Sequence, residues 1–286
     1  MGDGDGWARC DQGHKHWGRY GASGLLPYHR GRDGVVRVLL QQRASWGSGG
    51  GTWGMFGGAN HSHEDPVTGA IRETGEESTF DASGVRLVGT RTEDHGSWSF
   101  TSVVGSVPEM ADVKGASFET RRAAWVPVDE VDSLKLFPPF AGSWPVLREA
   151  LFRVVLIVDA ANVVGARAEH GWWRDRAGAN ARLRDDLAVL AGGVAGLPGG
   201  VVPFDTIYPD VVQVVEGAAR DVPSAGPVEV SAAPRSGDDH IVELVAGAEP
   251  DVKPLVITAD RELKSRVAEA GGAVAGPRWL LDRLRP

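Results

Sequence analysis

Hydrophobic and polar positions change their rhythm near residue 150. Before that point the apolar runs are short and separated by turn-forming residues. VVRVLLQ at residues 35–41 reads as a strand, and 47–51 is a glycine-rich loop. Pro66 is well placed to open a helix, predicted over 66–78. Residues 85–88, 98–104 and 123–126 have the β-branched and aromatic content of strands. Pro138, Pro139 and Pro145 crowd the stretch after Phe137, and a short helix is expected over 146–152. The first twenty or so residues, rich in Gly, His and Trp, read as an irregular lead-in.

From Arg153 the pattern differs. VVLIVDAANVV is a continuous apolar run with an acidic end, as expected of a parallel strand buried on both faces. Helix is then predicted over 175–191, strand over 211–216 and 228–231, and helix over 238–246. Strand 255–258, helix 261–270, strand 272–274 and helix 277–284 follow. This alternation argues for an α/β domain with a mostly parallel sheet. The expected organisation is therefore two domains, 1–150 and 151–286, with residues 1–20 as the lead-in.

A length of 286 residues, 42% hydrophobic and 24% charged, suits two globular domains. The net charge of −8 argues against nonspecific binding to DNA or an anionic membrane, although a local arginine cluster could still meet RNA. A single cysteine excludes an internal disulfide framework. With no basic-then-apolar leader in the opening residues and no long apolar run, a cytoplasmic location is expected.

Candidate chemistry is densest in GANHSHEDPVTGAIRETGEESTF, residues 58–80. On a helix, positions three and four apart share a face, so Glu73, Glu76 and Glu77 direct their carboxylates at one small volume. Such a cluster repels itself unless a cation sits among it, and Mg²⁺ commonly joins carboxylates to substrate phosphates. Arg72 can brace the carboxylates through bidentate pairing. A solvated acidic face is the plain alternative for an arbitrary run of glutamates.

The spacing of Gly58, Glu64, Arg72-Glu73 and Glu76-Glu77, with the flank VLLQQRASWGSGGGTWGMFGG, resembles the Nudix box over residues 20–150. The resemblance implies a mixed-sheet α/β/α sandwich that hydrolyses the pyrophosphate bond of a nucleoside diphosphate-linked, nucleotide-type substrate with Mg²⁺ or Mn²⁺. It implies that Glu73, Glu76 and Glu77 ligate the metal and that Glu64 completes or supports the cluster. Gly57, Gly58 and Arg43 would serve the substrate. Glu119 stands where some family members carry a second catalytic glutamate. Thr74, Thr79 and Phe56 depart from the family pattern, at positions where an aliphatic residue, a glycine and a proline are usual. None of the three is a carboxylate, so activity is expected to survive. Trp46, Trp53 and Trp98 could stack a base, though packing is the commoner role of tryptophan.

In an open parallel sheet, ligands bind beyond the carboxyl ends of the strands. Asp159 ends one predicted strand, with Asn162 just after it; Asp260 follows another; Asp238 and Asp239 open a helix. Helix capping accounts for some of these aspartates without any function. VDAANVVG, GDDHIVELV and VITADRELKSRV resemble the PIN-like family, in particular its NYN branch, over residues 153–286. That resemblance implies an acidic pocket for Mg²⁺ or Mn²⁺ built from Asp159, Asn162, Asp238 and Asp260, with Asp239 as the alternate for Asp238, and ribonuclease chemistry. Asp185 and Asp186 are candidate contributors. Trp172, Trp173 and Arg174 are a candidate base and phosphate surface.

Two other readings stay open: one of a different class, a nucleotide-sensing binding protein with a non-catalytic C-terminal domain, and a housecleaning nucleoside triphosphate pyrophosphohydrolase. Cys10, His14 and His16 have zinc-ligand chemistry. They are one short of the four ligands a structural zinc site needs, so no zinc site is expected there.

Overall fold

β-Branched and aromatic segments of the first half pair around one long inner strand. The computed structural model describes residues 2–46, 49–167, 173–198 and 202–284. Two compact units emerge: Met1–Leu151 with Pro203–Asp205, and Phe152–Val202 with Thr206–Pro286. Among the described residues, no helix is long and apolar enough to cross a membrane.

The first unit begins with an antiparallel hairpin, β1 (Trp7–Arg9) and β2 (Lys15–Trp17). It continues with β3 (Ala22–Arg30), β4 (Val36–Arg43), β5 (Trp53–Gly54), β6 (Phe56–Ala59) and α1 (Pro66–Glu77). Then come β7 (Arg86–Asp94), β8 (Ser99–Ser106), β9 (Thr120–Pro127) and α2 (Pro138–Leu147). β3 pairs parallel with β8 and antiparallel with β4 and β6. β7 joins β8, and β5 and β9 join β4, all antiparallel, so the sheet is mixed. Helix α1 lies on β3 and β6, where Ala70 packs with Leu25, Leu39, Phe56 and Val103. Asp65 starts α1 by accepting hydrogen bonds from the amides of Val67 and Thr68, with Pro66 at the position that lacks an amide partner anyway. Residues 203–205 return to this unit: Asp205 exchanges backbone and side-chain hydrogen bonds with Thr90 and Thr92, and Phe204 is buried against Gly89.

The second unit contains β10 (Arg153–Asp159), α3 (Ala160–Arg167), α4 (Arg176–Leu187) and a short antiparallel pair, β11 (Val194–Ala195) with β12 (Thr206–Ile207). β13 (Asp210–Val215), β14 (Val228–Ala232), α5 (Gly237–Ala246), β15 (Val252–Ile257), α6 (Arg261–Glu269), β16 (Ala273–Ala275) and α7 (Pro277–Leu281) complete it. Its sheet is parallel throughout, in the order β14-β13-β10-β15-β16. The chain runs from β10 to one side through β13 and β14, then crosses to the other through β15 and β16. β10 is therefore the switch point where strand order reverses and a crevice opens at the carboxyl ends.

Several sequence expectations are corrected. The lead-in is a hairpin packed through Cys10 against Ala22 and Trp98, not an irregular segment. Strand β3, for which the sequence predicts no element, carries no alternation because it is buried on both faces over most of its length. Residues 154–164 are not one strand: β10 stops at Asp159, whose carboxylate accepts from the Asn162 amide and starts α3. The helix expected over 146–152 lies earlier, at Pro138–Leu147: Pro138 and Pro139 open α2, because proline suits the first helical turn, and Pro145 sits inside it. Finally, Cys10, His14 and His16 gain a fourth neighbour, His95, from the turn between β7 and β8; the ligand atoms of the four lie within 4.8 Å of one another.

Candidate active site

Helix α1 presents Glu73, Glu76 and Glu77 as the spacing requires, and Arg72 ties the first two together. Its Nη1 donates to Glu73 Oε1 at 2.8 Å and to Glu76 Oε1 at 3.2 Å. Its Nε and Nη2 grip both oxygens of Glu64 at 2.7 and 2.9 Å, and Nη2 also donates to the Ala59 carbonyl at 2.8 Å. One guanidinium thus fixes three carboxylates and the loop before the helix. Glu64 also accepts from the His61 amide, and with Arg72 as the main cause its carboxyl is held down to about 2. Both Glu64 oxygens are committed to protein donors, so Glu64 supports the cluster by holding Arg72. Among the described residues, the second oxygens of Glu73 and Glu76 make no hydrogen bond.

Glu77 differs from its neighbours. It closes α1 and is buried beneath β6. Its Oε2 accepts from Gln41 Nε2 at 2.7 Å and from the Gly57 amide at 3.2 Å. Burial, reinforced by the charge of Glu73, pushes its carboxyl up to about 7, while Arg43 acts in the opposite sense. Burial likewise raises the Glu73 carboxyl, which Arg72 partly offsets. Gly58 makes room for Glu73: a Cβ at position 58 would lie 2.5 Å from the Glu73 carboxylate. Arg43 rests its guanidinium on the Phe137 ring, 4.9 Å from the centroid.

The three departures from the family pattern are absorbed locally. Thr74 is buried and turns its hydroxyl onto the Ala70 carbonyl of its own helix, and Phe56 is fully buried in the core. Ser78 leaves α1 in an extended conformation, with its amide and hydroxyl both on the Thr74 carbonyl, so the helix end needs no left-handed residue. Thr79 then exchanges hydrogen bonds with Lys114.

Glu119 is exposed in the loop before β9, where its carbonyl accepts from the Ala44 amide at 2.7 Å, next to Arg43. A residue the sequence reading missed is Gln41, polar yet fully buried at the end of the buried run Val38–Leu40; its place directly after that apolar run was its only signal. Of the tryptophans, Trp53 and Trp98 are buried, whereas Trp46 is 66% exposed and stacks on Phe118, itself 76% exposed, at 5.4 Å.

In the second unit, Asp159, Asn162, Asp238 and Asp260 line one cavity of about 290 Å³ at the carboxyl ends of the sheet. Glu216, directly after β13, joins them and had not been anticipated. Its place follows from the parallel pairing of β10 with β13, which sets Asp159 beside Val214. Asp159 accepts from Thr258 Oγ1 at 2.8 Å and from the Asn162 amide at 3.0 Å. Asn162 holds the Ala259 amide at 2.8 Å. Burial, then the charges of Asp238 and Glu216, raise the Asp159 carboxyl; burial, then Asp260, raise that of Asp238. Asp260 lines the cavity while also capping α6 through the Leu263 amide. Asp239 turns away to Arg266 at 2.6 Å, so Asp238 is the residue facing the cavity. Asp185 and Asp186 are engaged by Arg184 and Arg167. Trp173 and Arg174 are exposed, and Trp172 lies outside the described residues.

Comparison with known proteins matches residues 22–149 to the NUDIX domain. The "Putative 8-oxo-dGTP diphosphatase 3" of Mycobacterium tuberculosis (strain ATCC 25618 / H37Rv) is 43% identical over 155 residues, covering 52% of this chain and 71% of that protein. A "Nucleoside triphosphate pyrophosphatase/Nudix hydrolase fusion protein" of Bifidobacterium longum (strain NCC 2705) is 40% identical over 146 residues. That match covers 50% of this chain but only 30% of the fusion protein's length. Among solved structures, the Nudix hydrolase RenU of M. smegmatis has 36% identity and a TM-score of 0.48, covering 51% of this chain and 94% of that one.

Proposed function

Since the chain belongs to the Nudix hydrolase family through its N-terminal half, we propose that this half hydrolyses the pyrophosphate bond of a nucleotide-type substrate with Mg²⁺ or Mn²⁺. The observation that carries this reading is the arrangement on α1: Arg72 bridges Glu64, Glu73 and Glu76, and Glu77 is buried alongside Glu73. Two carboxyls raised by burial, beside the space that Gly58 leaves, fit a divalent cation with hard oxygen ligands. Glu73, Glu76 and Glu77 would hold it. When bound, such a cation offsets charge developing on the phosphoryl oxygens and acidifies a water. The chain's own residues do the positioning. Arg72 fixes the orientation of Glu73 and Glu76, and Gln41 with the Gly57 amide aims Glu77. Arg43 supplies positive charge on the substrate side. The exposed Trp46–Phe118 pair offers a face for a base.

Oxidised nucleoside triphosphates are the first substrates to assay, because one relative bears an 8-oxo-dGTP diphosphatase name. Sugar nucleotides, dinucleoside polyphosphates and capped RNAs complete the panel. Wild type should turn over one class with Mg²⁺, and Glu76→Gln should reduce that turnover by about a thousandfold without altering the fold. Near-wild-type turnover by Glu76→Gln would sink the assignment; no turnover of any class by wild type would favour a nucleotide-sensing protein.

A second reading rests on the crevice of the parallel sheet, where Asp159, Asp238, Asp260 and Glu216 share one cavity. Together with the PIN-like motifs, this supports metal-dependent phosphodiester hydrolysis of single-stranded RNA by the C-terminal unit. Cleavage of a single-stranded RNA with Mn²⁺ by wild type, and its loss in Asp159→Asn, tests the idea. Equal cleavage by both would mark a contaminating nuclease.

A further inference from the structure

The hairpin that opens the chain brings three potential ligands together, and a distant turn adds a fourth. The Cys10 carbonyl accepts from the Gly13 amide at 2.8 Å, and the Cys10 amide donates to the His14 carbonyl at 3.0 Å. Gly13 sits at φ +81°, the left-handed conformation that lets the chain reverse within these residues. His14 and His16, two apart on an extended segment, point to the same side. His95 arrives from the β7–β8 turn, its carbonyl accepting from the Asp11 amide at 3.2 Å. Trp98 backs the cluster. It stacks on the His16 ring at 4.0 Å and 11°, and is itself held by the Gly18 carbonyl at 2.9 Å.

Packing alone would explain a buried cysteine beside stacked rings. It does not explain His16 Nε2 and His95 Nδ1, which are both buried without any hydrogen-bond partner. A buried, unpaired ring nitrogen is costly, and two in one cluster more so. Cys10 Sγ and one ring nitrogen from each of His14, His16 and His95 lie inside a 4.8 Å span. Zinc bonds of ~2.3 Å to sulfur and ~2.0–2.1 Å to nitrogen place one sulfur and three nitrogens of a tetrahedron about 3.3–3.6 Å apart. Small side-chain rotations bridge the difference.

We propose that Cys10, His14, His16 and His95 form a closed, four-ligand zinc site that clips the N-terminal hairpin to the β7–β8 turn. A fully protein-ligated tetrahedral site is structural, not catalytic. Its reach extends to the box. Asp3 accepts from the amide and hydroxyl of Ser62 at 3.2 and 2.5 Å, in the loop that carries Glu64, and the charge of Asp5 acts on Glu73. Fixing the hairpin therefore steadies the segment that leads into α1.

The test uses the full-length chain, purified without chelator and analysed by elemental mass spectrometry. Wild type should carry one zinc per chain, while Cys10→Ser and His95→Gln lose it. Circular dichroism establishes that each variant is folded; should Cys10→Ser fail to fold, His95→Gln and His14→Gln carry the test. Glu76→Gln should retain its zinc, which separates this ion from any metal at the box. Reconstitution with Co²⁺ should give a thiolate-to-cobalt charge-transfer band in wild type and none in Cys10→Ser. Zinc-free wild type, zinc retained in folded ligand variants, zinc lost from Glu76→Gln, or a different metal at one equivalent would each overturn the proposal.

Discussion

Gln41 Nε2 donates a 2.7 Å hydrogen bond to Oε2 of Glu77 across the interface between β4 and the end of α1. The Gln41 carbonyl oxygen accepts in turn from Thr120 Oγ1 at 2.7 Å on the paired strand β9, which fixes the amide's orientation. Hydrogen bonds to an ionised group are worth about 1.5–3 kcal/mol. Gln41→Leu should therefore lower pyrophosphohydrolase turnover by about tenfold or more. It should also push the Glu77 titration, followed by carboxyl NMR, further upward. Unchanged turnover in Gln41→Leu would mean that Glu77 is oriented by other groups.

The pH dependence of metal binding follows from Glu77. Its carboxyl is raised from 4.5 to about 7 in the folded protein, so the protonated form is favoured there. The stability this contributes is complete below the ordinary value and is lost as pH rises through about 7. Metal binding runs the opposite way, because the ligand must first lose its proton. Affinity for Mg²⁺ or Mn²⁺, measured calorimetrically, should rise about tenfold per pH unit below 7 and then level off, if one proton is displaced. Glu77→Gln should flatten that rise. A pH-independent affinity in wild type would remove Glu77 from the ligand set.

Gly58→Ala tests the space beside Glu73. The added Cβ would lie 2.5 Å from the Glu73 carboxylate, far inside van der Waals contact. That carboxylate would have to move and leave the Arg72 pair that holds it. Metal affinity should fall by about tenfold or more, with only a small change in Tm because no core packing is lost. Wild-type affinity in Gly58→Ala would indicate that Glu73 has another acceptable rotamer.

Residues 203–205 bear on what an isolated N-terminal fragment can do. Asp205 bonds the Thr92 amide at 2.6 Å, and Phe204 is buried against Gly89. A fragment ending at Leu151 keeps every box residue but exposes that part of β7. It should retain pyrophosphohydrolase activity with a Tm several degrees below that of the full chain, read by differential scanning calorimetry. An inactive but folded fragment would point to a catalytic contribution from outside residues 1–151.

The readings drawn from sequence succeeded where the causes are local. Glu73, Glu76 and Glu77 share a helix face because three- and four-residue spacing sets it, and Pro66 marks the start because it suits only the first turn. Asp159 could be found because a buried parallel strand is a continuous apolar run, and an acid at its end stands out. The missed features depend on pairing between distant segments. Gln41 meets Glu77 through packing of α1 against the sheet, and Glu216 meets Asp159 through the β10–β13 register. His95 reaches Cys10 across more than eighty residues of chain. Strand register and helix docking are set by the burial of whole faces, and no single segment encodes which residue of another it will touch. The chain's own spacing thus determined which side chains α1 brings together at the box. Only the tertiary structure decided which polar groups aim them, which acid completes the second cavity, and that a cysteine and three histidines come together.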